Sequence, residues 1–159
     1  MDFRTGFGFD THRLEEGRAF RIGGIPVPHS RGAAGHSDAD VLIHAICDAL
    51  LGAAGLRDIG AQFPDTVPEF KNIDSKILLK RTLHLIREKE FQISNIDSTV
   101  VLQNPKISQY IPEMVKTLAG ILEIEEELVS VKAKTSEKLG FIGREEGVSA
   151  YAVVLLFRD

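Results

Sequence analysis

The chain has a single cysteine, Cys47, and no tryptophan. One thiol cannot close an intrachain disulfide, so a bridge-held secreted scaffold is excluded and a reducing cytoplasm is expected. No apolar run is long enough to cross a bilayer, so no membrane partner is expected. The opening stretch MDFRTGFGFDTHR lacks a basic start followed by an apolar block, and no secretory leader is expected there. Cationic excess is missing too. Lys plus Arg number 19 against 23 Asp plus Glu, a net charge of −4, which argues against nucleic acid as a partner. There is no internal repeat, low-complexity tract or linker. What remains is 159 residues, 43% hydrophobic and 26% charged, the balance of one soluble globular domain over 1–159.

Two nucleotide motifs are also absent. Gly6-Phe7-Gly8 begins like a dinucleotide fingerprint, but Thr11 stands where the third glycine is needed and no helix follows. There is neither a P-loop nor a Gly-x-Ser-x-Gly elbow.

Periodicity predicts the elements. Residues 2–12 read as a strand with Phe3, Phe7 and Phe9 on one face and Arg4, Gly6, Gly8, Asp10 and His12 on the other. Residues 19–28 read as a hairpin turning at Gly23-Gly24, and 29–34 as a loop. A helix is expected from Ser37 or Asp38 to about Gly55, and a second from Asp74–Ser75. Between them, 57–74 is a long loop with two prolines, of a kind that is usually functional or disordered. A strand over 96–102, a helix over 109–122 and a strand around Val129 to Ala133 follow. Residues 148–157 are apolar on both faces, so that strand is expected to be central and covered. The order implies an α+β fold, a mixed or antiparallel sheet with helices on one face.

The residues with chemical potential cluster. Asp10 and His12 are two apart on a strand and point the same way. His44 lies on the first predicted helix, sharing a face with Asp40 and Asp48. An Asp/His/His set with an open position suits a catalytic zinc. In an isolated Asp-x-His, turn capping and an ordinary surface histidine are the commoner outcome. His36 and Ser37 open the helix, where free N–H groups attract anions; plain capping would explain Ser37 and Asp38 but not His36. Asp48 either orients His44 or is a solvated helix residue. Cys47 reads as buried and inert. Lys134 to Arg144 gathers hydroxyls, amides and cations in one turn after a strand, suited either to phosphate or to a plain polar connection. Glu137 in it could hold a hard cation bound to phosphate.

Three segments, GFGFDTHR, GHSDADVLIHAICDALLGAAGLRDIGAQFPDT and VKAKTSEKLGFIGREEG, together resemble the 2-C-methyl-D-erythritol 2,4-cyclodiphosphate synthases of the non-mevalonate isoprenoid pathway. The resemblance covers nearly the whole chain. It implies a homotrimer with active sites between subunits, and cyclisation of 4-diphosphocytidyl-2-C-methyl-D-erythritol 2-phosphate with release of CMP. It places zinc on Asp10, His12 and His44, and a second ion, Mg²⁺ or Mn²⁺, on Glu137. Phosphate positioning would fall to His36, Ser37 and Thr135, with His36 and Thr135 stabilising the transition state. Asp58, Ile59, Gly60, Phe63, Pro64 and Asp65 match the erythritol-binding stretch. Leu102 to Ser108, including Pro105 and Lys106, match the cytidine pocket together with Ala133, Lys134 and Thr135, and Ser136, Phe141 and Arg144 match further substrate contacts. The chain departs from the pattern at Lys134 (often threonine), Ala39 (often glycine) and Tyr151 (often glutamate, in an axial cavity shared with Phe9 and Arg144). Two rivals stand beside it: a zinc phosphohydrolase using the same ligands and giving a linear product, and a non-enzymatic trimeric binding protein for nucleotides or isoprenoid diphosphates, which needs no open zinc position.

Overall fold

A computed structural model describes all residues, 1–159. The elements are β1 (Asp2–Glu16), β2 (Arg21–Ile22), β3 (Ile25–Pro26), β4 (Arg31–Ala33), α1 (Val41–Ala53), α2 (Ile59–Gln62), α3 (Ser75–Glu88), β5 (Gln92–Val101), α4 (Ile111–Leu122), β6 (Val129–Lys134), α5 (Gly140–Gly143) and β7 (Gly147–Arg158). The main sheet runs β4-β1-β7-β5-β6. β1, β7 and β5 pair antiparallel, while β5 and β6 pair parallel, so the sheet is mixed. The α+β expectation holds, with α1 packed on one face.

Several boundaries differ from the sequence reading. β1 continues to Glu16 because β4, an edge strand inside the expected 29–34 loop, pairs Leu14 to Glu16. The hairpin β2–β3 turns at Gly23 and Gly24, both in the left-handed region at φ 62° and 80°. α1 starts later than Ser37. Asp40 is its cap, accepting the N–H of Ile43 at 3.0 Å. The fully buried Asp40 carboxylate also accepts from Gly23 N–H (3.0 Å) and Gly24 N–H (2.7 Å). Burial pushes its pKa up while these N–H groups pull it down. The Asp40 carboxylate thus ties the helix to the hairpin and makes no hydrogen bond with the His44 ring.

β7 is central, but it is covered on one side only. Val148, Ala150, Ala152, Val154 and Leu156 are buried under the helices. Tyr151 and Val153 remain exposed on the opposite face, beside Phe3, Phe7 and Phe9 of β1. Apolar composition on both faces therefore marks two surfaces of which one chain covers only one.

Gly6 and Gly8 set the distance between β1 and α1. A Cβ on Gly6 would sit 1.9 Å from the Ala49 carbonyl oxygen, and one on Gly8 1.8 Å from that of Ala45. Two strand residues rise about 6.8 Å and four helix residues about 6 Å, so strand and helix stay in step over this contact. Continuing past Gly8, the strand delivers Asp10 and His12 next to the first turns of α1, where His44 lies.

Candidate metal centre and active site

Asp10, His12 and His44 converge. Asp10 Oδ2 lies 2.8 Å from His12 Nε2 and 2.9 Å from His44 Nδ1, and the two nitrogens are 3.2 Å apart. Tetrahedral bonds of about 2.0–2.1 Å place donor atoms about 3.3 Å apart, so the three atoms are already near the spacing of one metal's coordination shell. The donor set, one carboxylate and two imidazoles, is that of a catalytic site with a position left for another ligand. Burial pushes the Asp10 carboxyl up, but its bonds with His12 and His44 outweigh this and hold it well below the usual carboxylate range. His44 is driven down by burial and further up by Asp10, ending above the ordinary imidazole value. The charge pattern is that of a cation site: a persistent anion facing two imidazoles.

The other nitrogen of His44 is engaged as well. Nε2 lies 3.0 Å from Ser37 Oγ and 3.0 Å from Ser75 Oγ. Ser75 in turn bonds Asp38 through both its hydroxyl and its N–H. Ser75 and Asp38 are the residues that sequence reasoning missed. Both have the form of capping residues, and only the fold reveals that the start of α3 lands on His44. Asp48, read either as orienting His44 or as a solvated helix residue, makes no hydrogen bond with His44. Asp48 Oδ1 accepts the N–H of Ile59 at 2.7 Å and so anchors the start of α2. Ala39 adopts φ 58°, a left-handed backbone that favours glycine.

His36, Ser37 and His44 line a cavity of about 320 Å³ together with Ile59, Gly60, Phe63, Pro64 and Asp65. The 57–74 segment is thus the wall of this cavity, shaped by α2 and a single turn at Pro68–Phe70. Asp58 caps α2, accepting the N–H of Ala61 at 2.8 Å. A wider cleft, about 1470 Å³ between α3 and α4, touches the 57–74 segment at Gln62, Phe63 and Asp74, and neither Asp10, His12 nor His44 lines it.

The remaining expected residues form a second cluster. Leu102 N–H donates to the Lys134 carbonyl (2.9 Å), Lys138 N–H to Gln103 Oε1 (3.1 Å), and Asn104 Nδ2 to Glu145 Oε1 (2.7 Å). These bonds hold Pro105 and Lys106 beside the turn carrying Thr135, Ser136 and Glu137. Thr135 Oγ1 accepts the Glu137 N–H at 3.2 Å, and Ser136 Oγ donates to the Leu139 carbonyl at 2.7 Å. Lys134 and Glu137 are exposed and Ala133 half-buried. Exposed Phe141 lies against Gly147, and Arg144 is paired with Glu146 at 3.0 Å. Asp10, Ala150, Val100 and Ala133 occupy one register row, so the end of β6 stands three strands, or about 14 Å, from Asp10. One chain does not close the two clusters into one site.

Fold and site together define an α+β protein with a candidate metal centre of Asp10, His12 and His44 and a cavity beside it. A family model described as the YgbB family matches residues 3–157, and the chain belongs to that family. A protein named 2-C-methyl-D-erythritol 2,4-cyclodiphosphate synthase from Bacteroides thetaiotaomicron is 58% identical over 159 residues, all of both chains. A solved bifunctional IspDF from Campylobacter jejuni superposes with TM-score 0.94 at 44% identity, over 98% of this chain and 42% of that longer one. An IspF from Plasmodium falciparum in complex with CDP gives TM-score 0.86 at 36% identity, over 99% of this chain and 97% of its own. The resemblance read from the three sequence segments is therefore borne out.

Proposed function

We propose that this chain catalyses the cyclisation of 4-diphosphocytidyl-2-C-methyl-D-erythritol 2-phosphate to 2-C-methyl-D-erythritol 2,4-cyclodiphosphate and CMP, in isoprenoid precursor synthesis in the cytoplasm. The observation that carries this reading is the meeting of Asp10 Oδ2, His12 Nε2 and His44 Nδ1 within 3.2 Å beside the cavity of Ser37 and Asp65. It occurs in a chain 58% identical to a named cyclodiphosphate synthase. No helix is long and apolar enough to cross a membrane.

An oxygen of the 2-phosphate attacks the β-phosphorus. The bond from that phosphorus to the oxygen bridging to the α-phosphate breaks, and CMP leaves with that oxygen. The nucleophile is already anionic, so no strong general base is needed, and none is paired with a nucleophile here. The difficulty is the approach of one anion to another. Asp10, His12 and His44 would hold zinc, which supplies positive charge to the β-phosphate oxygens. Glu137 would hold Mg²⁺ or Mn²⁺ with the substrate's phosphates. His36, Ser37 and Thr135 position phosphate oxygens as charge develops on them. Asp58 to Gly60 and Phe63 to Asp65 take the methylerythritol. Leu102, Pro105, Lys106 and Ala133 to Thr135 take the cytidine, with Ser136, Phe141 and Arg144 as further contacts. Holding both ends of one substrate together is worth on the order of 7–11 kcal/mol.

The assembly is a homotrimer whose neighbouring chains complete each site. Two observations support it. The metal centre and the Thr135 cluster are about 14 Å apart in one chain. The uncovered sheet face exposes Phe3, Phe7, Phe9, Tyr151 and Val153 by 40–64%, an apolar patch of the kind that a partner covers. The reading is tested by incubating the protein with the cytidyl substrate and Mg²⁺ and following ³¹P NMR. A cyclic diphosphate and stoichiometric CMP are expected. A linear product would assign the centre to hydrolysis, and no CMP would remove the activity altogether.

A further inference from the structure

We propose that Ser75 and Asp38 form a hydrogen-bond relay that fixes the tautomer of His44, baring Nδ1 for the metal and freeing the Ser37 hydroxyl proton for substrate. The inference rests on the reading that Asp10, His12 and His44 hold a metal ion. Ser75 and Asp38 are positioning residues acting through His44 and Ser37.

Ser75 is the first residue of α3 and is fully buried. Its Oγ bonds Asp38 Oδ1 and lies 3.0 Å from His44 Nε2, while its N–H donates to Asp38 Oδ2 at 3.0 Å. An ionised carboxylate only accepts. The Ser75 hydroxyl proton is therefore committed to Asp38, and Ser75 Oγ presents a lone pair to the imidazole. That lone pair calls for a proton on Nε2. A neutral imidazole has one N–H, so Nδ1 is left bare. Nδ1 is the nitrogen that faces Asp10 Oδ2 at 2.9 Å and His12 Nε2 at 3.2 Å.

The same proton decides what Ser37 does. Ser37 Oγ stands 3.0 Å from Nε2 and accepts the Ala39 N–H at 3.2 Å. Were Nε2 bare, the Ser37 hydroxyl would donate to it. With Nε2 protonated, that outlet is closed and the Ser37 proton is free for the cavity, where an anionic oxygen accepts it. The relay is also fastened mechanically. Asp38 N–H donates to the Ile73 carbonyl (3.1 Å) and Asn72 N–H to the His36 carbonyl (2.7 Å). The loop bearing His36 and Ser37 is thereby stitched to the segment leading into Ser75.

The test compares zinc affinity of the full-length wild type and Ser75→Ala by competition with a chelator, alongside melting of both metal-free proteins. Removing a partner of this kind weakens metal binding about 10–100-fold, and that loss is expected for Ser75→Ala. An affinity within twofold of wild type overturns the proposal, and a lowered melting temperature with unchanged affinity overturns it too, since that is what a merely structural Ser75 would give. Should the variant fail to fold, ¹⁵N NMR of the zinc-loaded wild type decides. A proton on His44 Nε2 with Nδ1 bound to the metal is expected, and ligation through Nε2 overturns the relay. Absence of zinc uptake by the wild type is a separate result, which would overturn the metal-centre reading on which the relay stands.

Discussion

Replacing Gly8 by alanine tests whether close packing of β1 on α1 builds the metal centre. The new methyl carbon would lie 1.8 Å from the Ala45 carbonyl oxygen and 2.8 Å from the Ala49 nitrogen, both backbone atoms that no rotamer change can move. Reaching a tolerable 3.0 Å requires α1 and β1 to separate by about 1.2 Å. His44 precedes Ala45 on the helix, while Asp10 and His12 follow Gly8 on the strand. A shift of that size would stretch the 2.9 Å Asp10–His44 contact past 4 Å, well beyond the spacing of about 3.3 Å between ligands of one tetrahedral ion. Overpacking typically costs 1–3 kcal/mol, and here the two layers of the core are pushed apart, so about 3 kcal/mol is expected. That is about 6–12 °C in melting temperature at this chain length. Gly52→Ala is the control. It lies exposed on α1 with nothing within 4 Å of a built Cβ, and should gain about 0.5–1 kcal/mol from helix propensity. Thermal unfolding and bound zinc per chain are measured on both variants. If Gly8→Ala matched wild type in melting and zinc content, the close approach would not be what assembles the site.

Three further outcomes are expected. Asp10→Asn and His44→Ala should each lose bound metal and cyclisation together, read by elemental analysis and CMP release; metal retained with a near-normal rate would contradict the ligand assignment. Thr135→Ala should cut turnover roughly 100-fold, as loss of one transition-state donor does, while stability falls by less than about 1 kcal/mol; a change in melting alone would remove its positioning role. Burial pushes the Cys47 thiol up from 9.0 to about 12. The folded chain therefore keeps a proton that the unfolded chain loses, so this group's contribution to stability declines as pH rises from 9 towards 12. At pH 8 a thiol reagent should modify one cysteine per chain in denaturant and almost none in the native protein; rapid native labelling would place Cys47 outside the core.

Elements with a strong local period were legible. The alternation through β1, the turn at Gly23-Gly24 and the stripe of α1 each state their own structure, because one face must be buried and the spacing says which. Asp10 and His12 were legible as a pair for the same reason, and His44 joined them because its residue type completes a metal set. Asp48 was not. On a helix it shares a face with His44, but the chain after α1 turns back and offers it the Ile59 N–H at 2.7 Å, a partner that helical spacing cannot foresee. Ser75 was hidden by its own plausibility. A serine at a helix start needs no further explanation, and its bond to His44 joins residues 31 positions apart.

The misreading of β7 has a different cause. Val148 to Phe157 is apolar on both faces, and a covered strand is the natural inference. Within one chain, the face bearing Tyr151 and Val153 meets the phenylalanines of β1 on one side, with Phe9 and Tyr151 rings 5.2 Å apart, and Thr99 and Asp97 of β5 on the other, and no layer packs over it. Hydrophobicity encodes that a surface must leave water, not which chain removes it. The split between the metal centre and the Thr135 turn points the same way. β1 and β6 are separated by two strands in this sheet, so no rearrangement of loops in one chain would bring Thr135 to Asp10. A second chain against the open sheet face would cover the apolar strip, and with it the other half of the site could arrive. Residues at the two halves should then complement in mixed assemblies. Coexpressed His44→Ala and Thr135→Ala chains should recover part of the activity that each lacks alone, whereas sites closed within single chains would show no such recovery.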